Sequence, residues 1–190
     1  HLLDGQQRAT GIALGFADVW RDDAGDDPVR SACWVDLETA PGGRDVEFVV
    51  RHQTQAPAWG YSRADPDARL TQNRIRAAIK AFQAVNPGHR QTRPEAFPLT
   101  LTWPWDTSAP VPLPMLLCAL DTTGGDVAAA IRLAWERVQT LPLFNSAALL
   151  DERDDGDKDP AIEAARVHVT ACREAITTAF LEEKSPLGLR

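Results

Sequence analysis

The 190-residue chain is short of several things, and each shortage removes a class of protein. Cysteine occurs only at Cys33, Cys118 and Cys172, far apart and odd in number. No C-x-x-C pair is present, so neither a disulfide framework nor a zinc site is expected. Buried thiols in a cytoplasmic protein are the simple reading. Four histidines, His1, His52, His89 and His168, are scattered. No pair has metal-ligand spacing, and no cluster of His and Asn forms the core of a nuclease. No apolar run approaches the ~18 residues of a spanning helix, so no membrane contact is expected. No signal peptide is visible. The phosphate loop G-x-x-x-x-G-K-[ST] and the nucleophile elbow G-x-S-x-G are both missing. Positive charge is also in short supply. The net charge of −7 argues against an all-over nucleic-acid surface but leaves room for a local basic patch.

What is present is an ordinary globular balance, 44% hydrophobic and 25% charged. The first ten residues are the most informative. Leu2-Leu3 read as the end of a buried strand. Asp4-Gly5 is a turn signal, because glycine tolerates positive φ and aspartate bonds its own backbone. From Gln6 the spacing of Ile12, Phe16 and Val19-Trp20 predicts a helix to about Trp20. A strand, a sharp turn and a helix start aim free N–H groups at one spot, which suits a phosphate. Arg8 adds a guanidinium fork one turn further on.

Asp4-Gly5-Gln6-Gln7-Arg8 followed by Thr10 resembles the DGQQR motif of the GmrSD-type domain. That is the ParB/sulfiredoxin-like domain of restriction systems that attack modified phage DNA. Ala9, Gly11 and Ile12 replace the family's usual Leu, second Thr and Leu, at packing positions. Cys33–Glu38, and Phe48–Arg51 leading to Trp59-Gly60-Tyr61, also look family-like, so the similarity covers about residues 1 to 85. The resemblance implies binding and hydrolysis of a nucleoside triphosphate with Mg²⁺. Gly5, Gln6, Gln7 and Arg8 would hold phosphates, and Asp4 would hold the metal directly or through water. Gln6 or Gln7 would orient the attacking water, so the implied catalytic set is Asp4, Gln6 and Gln7. It also implies further elements ahead of the motif, a fragment in which one wall of the site is missing. DNA cleavage would belong to another part of the protein or a partner chain.

The expected fold is α+β: a small mixed sheet with a ParB/sulfiredoxin-like strand–turn–helix core, leading into a helical C-terminal portion. The expected division is residues 1–93 and 94–190. Ser31–Glu38 and Asp45–His52 read as a hairpin, and Gln53–Asp67 as irregular. Leu70–Val85 reads as a helix with an apolar stripe of Ile75, Ala78, Ile79 and Phe82. Pro94–Leu120 holds six prolines, which excludes a long helix. Leu99–Trp103 reads there as a short edge strand. Val127–Leu141 and Asp159–Glu183 read as the last helices, with an acidic loop from Asp151 to Asp159 between them.

Residues 68–94 contain Arg69, Arg74, Arg76, Lys80, His89, Arg90 and Arg93 and no acid. A solvated helix face and a phosphate-contacting one are both consistent with this. In the second reading Arg74, Arg76 and Lys80 meet phosphates, and Asn73 touches a base or ribose. His52, Trp59 and Tyr61 form a weaker third group, structural or site-lining. The expected partners are a nucleotide and, through the whole protein, modified DNA. Two alternatives stay open: a non-catalytic DNA- or protein-binding module, and a ParB-like nucleotide switch without fast turnover.

Overall fold

The computed structural model describes residues 10, 12, 13, 16–20, 31–38, 48–65, 68–93, 97–152, 160–182 and 187. Among them the architecture is α+β, with a three-stranded sheet and five helices. The strands are β1 (Ser31–Asp36), β2 (Val49–Thr54) and β3 (Pro110–Pro112), in the order β2-β1-β3. Both pairings are antiparallel, so the described sheet is not the mixed one expected.

β1 is the central strand, and it is buried from Ala32 to Asp36. β2 inverts the usual pattern. Arg51 and Gln53 point inward while Val50 and His52 are exposed. Hydrogen bonds to neighbouring backbone and side chains hold the inward polar groups in place. Gln53 accepts the Trp34 indole N–H at 2.5 Å and donates to the Ala58 carbonyl at 2.6 Å. It also donates to the Thr102 hydroxyl. Arg51 donates to the Ser62 carbonyl at 3.3 Å.

β3 pairs Val35 with Val111, and the flanking Leu37 N–H reaches the Ala109 carbonyl at 2.9 Å. Val111 therefore turns its backbone groups toward β1, and Pro110 and Pro112 turn theirs outward. That parity is why two prolines fit in one short strand. Leu99–Leu101, bracketed by Pro98 and Pro104, is a 3₁₀ turn rather than the expected strand.

The helices are α1 (Gln72–Val85), α2 (Leu113–Thr122), α3 (Val127–Val138), α4 (Pro142–Glu152) and α5 (Pro160–Leu181). α2 is a short helix that starts inside the proline-rich stretch. Pro114 sits in its first turn, where a missing N–H costs nothing. α4 was not expected, since the apolar pattern runs on past Leu141. Asp126 caps α3 by accepting the Ala129 N–H at 3.1 Å. Val127, placed on the inner face by spacing, is exposed, and Ala130, Ala134 and Val138 carry that face instead.

Thr10, Ile12, Ala13 and Phe16 are helical, but Val19 and Trp20 form a turn. The expected helix thus ends before Trp20, where the Asp18 carboxylate accepts the Trp20 N–H at 3.2 Å. Asp18 is buried against Arg137 at 2.5 Å, and Trp20 packs edge-on to Trp34 at 5.2 Å.

α1 and α4 both pack on α5, and α2 on α3 and β1. One apolar core joins the sheet and all five helices. At its centre Trp59 meets Phe82, Phe97, Trp103 and Trp105 at 5.7–6.0 Å, all edge-on. Among the described residues no helix is long and apolar enough to cross a membrane.

Candidate functional site

A cleft of about 360 Å³ opens between α1, α5 and the loop of residues 105–108. It is built around that loop, which three elements clamp. Asp36, at the end of β1, accepts the Ala109 N–H at 2.9 Å and the Ser108 N–H at 3.3 Å. The Trp59 carbonyl accepts the Trp105 N–H at 3.0 Å. The Cys172 thiol of α5 donates to the Thr107 carbonyl at 3.4 Å.

Asp106 therefore projects from a fixed loop, and two arginines converge on it. Its Oδ2 accepts the Arg63 backbone N–H at 2.7 Å, and its Oδ1 pairs with the Arg74 guanidinium. The Arg63 side chain donates to the Ser108 hydroxyl at 2.7 Å and pairs with Glu38 at 2.5 Å. The Ser108 hydroxyl, helped by Arg63, holds the Glu38 carboxyl below the usual carboxylate range.

His168 closes the inner end, with its ring 4.5 Å from that of Trp105. Burial pushes its pKa down, against a hydrogen bond to the Trp105 carbonyl, and the Arg74 charge pushes it further down. The imidazole is thus neutral at pH 7. One helical turn on, the Cys172 sulfur lies 3.7 Å from His168 Nε2. This is not an activated nucleophile. Burial pushes the thiol up to about 12, and Asp36 and Glu38 add to the effect.

The residues singled out from sequence fare differently. Asp4, Gly5, Gln6, Gln7 and Arg8 lie outside the described residues. Asn73, Arg74, Arg76 and Lys80 are all exposed on α1, but they do not share one side. At about 100° per residue, Asn73, Arg76 and Lys80 fall within about 60° of one another, and Arg74 stands about 160° from Arg76. Arg74 turns into the cleft, and the other three form a separate outer face. Trp59 is the centre of the core and offers no stacking surface. His89 packs between Phe82 and Phe97, His52 is exposed on β2, and Tyr61 bridges to Arg69.

Arg63, Asp106, Ser108 and His168 were not anticipated as a group. They come from three distant stretches, and only the i, i+4 spacing of His168 and Cys172 hints at a shared helix face. Among the described residues no group of three or more His, Cys, Asp or Glu side chains is placed to hold a metal ion. No protein-family model, no curated protein and no solved structure matches the chain.

Proposed function

We propose that the chain is a nucleotide-binding and nucleotide-hydrolysing sensor domain of a modification-dependent, phage-defence restriction system, working in the cytoplasm. The observation that carries the reading is the sequence Asp4-Gly5-Gln6-Gln7-Arg8, standing directly ahead of helical Thr10, Ile12, Ala13 and Phe16. A ParB/sulfiredoxin-like strand–turn–helix core would bring N–H groups of Gly5 to Gln7 and the Arg8 fork onto the phosphates. Asp4 offers the hard carboxylate oxygen that Mg²⁺ takes, and the ion would neutralise charge developing on the phosphates. Gln6 or Gln7 would orient the water.

The test is turnover of the four nucleoside triphosphates with Mg²⁺, with and without modified DNA, on the full-length protein. Turnover is expected for at least one nucleotide. Asp4→Ala is expected to lower hydrolysis more than binding, because a metal contact matters most where charge develops. Binding without turnover would leave the ParB-like switch. Neither binding nor turnover would remove the nucleotide reading.

A second reading, a DNA-contacting module, is favoured by one observation. The outer face of α1 presents Asn73, Arg76 and Lys80 together to solvent.

A further inference from the structure

We propose that the cleft between α1, α5 and the 105–108 loop binds the phosphate group of a small phosphate monoester, with Arg74 and Arg63 as the anion contacts. The cavity, at about 360 Å³, falls in the range of sites for small ligands. Its lining carries two guanidiniums, Arg63 and Arg74, against one carboxylate, Asp106. Glu38, paired with Arg63 beside the lining, brings the group to neutral, in a chain whose net charge is −7. Asp106 is itself covered by the Arg63 N–H and by Arg74, so it presents little uncompensated charge to an anion.

Arg74 reaches Asp106 through Nη1, and its side chain is 54% exposed. A guanidinium has five donors in a planar fork, so the contact with Asp106 leaves donors of this cleft-lining side chain for phosphate oxygens. Arg63, held by Ser108 and paired with Glu38, adds a second guanidinium on a preset side chain. Ala77 and Ala164 line the wall, and their small side chains leave room for the organic part of the ester. None of these residues belongs to the Asp4–Arg8 motif, and the proposal stands or falls without it.

His168 supplies an internal reporter. The groups that face it are Arg74 from α1, Trp105 and Asp106 from the loop, and Cys172 on its own helix, with Asp36 and Glu38 beyond Cys172. Arg74 disfavours its protonation, and a bound anion offsets that charge.

The experiment is calorimetric titration of the full chain with inorganic phosphate and with AMP, alongside NMR titration of the His168 ring. Saturable binding of both is expected, with AMP the tighter. Arg74→Gln should weaken it roughly ten- to a hundredfold, the loss of a hydrogen bond to a charged group. Arg132→Gln, exposed on α3 and outside the cleft lining, should leave it unchanged, and phosphate should raise the His168 midpoint. Absence of saturable binding, or full affinity in a folded Arg74→Gln variant, overturns the proposal. Equal affinity for phosphate and AMP overturns the ester assignment. Should Arg74→Gln fail to fold, Arg74→Lys keeps the charge without the fork, and undiminished affinity there also overturns it. Loss on Arg8→Ala with none on Arg74→Gln would assign the binding to the motif, sinking this site and leaving the nucleotide reading intact.

Discussion

Gly60 shows how much can hang on one residue. Its φ is +74°, a conformation that L side chains rarely adopt. An added Cβ would also stand 3.3 Å from the Pro104 side chain and 3.4 Å from the His52 carbonyl. Neither neighbour moves freely, since one is a ring and the other is strand backbone. Gly60 follows Trp59, the centre of the aromatic core, and leads into the segment that carries Arg63 to Asp106. The turn therefore sets both the core and the cleft. Gly60→Ala is expected to destabilise the fold by about 1–3 kcal/mol. Urea denaturation of the variant measures it, and an unchanged midpoint would mean the local backbone relaxes without cost. Pro104, by contrast, was legible only as a helix breaker, because nothing in sequence says which glycine it will meet.

At the scale of elements, regular spacing made α1, α5 and β1 readable. Ala78, Ile79 and Phe82 on α1, and Val169, Cys172, Ile176 and Phe180 on α5, bury the faces that their spacing assigns. Proline bars a long helix from the proline-rich stretch but leaves room for short elements. Pro114 does not exclude α2, because it sits where the N–H is unpaired anyway, and Pro110 and Pro112 do not exclude β3. Leu99–Leu101 alternates like a strand but pairs with no strand among the described residues and curls into a 3₁₀ turn. The cleft was not legible at all, since its charges meet only through tertiary packing. The basic stretch was legible in composition but not in direction, because Arg74 stands about 160° around the helix from Arg76 and about 120° from Lys80, in different surroundings. If the outer face meets DNA phosphates, changing both Arg76 and Lys80 to Gln should lower the salt slope of binding by about two. Fluorescent duplex titrated at several salt concentrations reads this out. An unchanged slope would return the face to solvent.

The whole molecule should carry the imprint of its buried titratable groups in its response to pH. His168 has a folded pKa below its ordinary value of 6.5, so the unfolded chain takes the proton first. Stability therefore falls as pH drops below about 6.5. Glu38 is held low as well, and its contribution fades below 4.5, with little effect because the side chain is 48% exposed. At the other end Cys172, at about 12 against an ordinary 9.0, stays protonated when folded while the unfolded thiol ionises. Cys33 shifts the same way through burial. Stability should fall again as pH rises above 9.0, and Cys172→Ala should flatten that limb. Urea midpoints across pH measure both limbs, and a flat alkaline side in the wild type would place the thiol in contact with water.

The outward parity of Pro110 and Pro112 reaches beyond the single chain. A free strand border normally offers alternating donors and acceptors, which is what recruits a foreign strand into a growing fibril. Among the described residues β3 is an outer strand, buried at all three positions, and its border offers carbonyls alone across the two prolines, because neither ring carries a hydrogen on nitrogen. Wherever that border is uncovered, as in partly unfolded copies, the same two rings deny a foreign strand its donors.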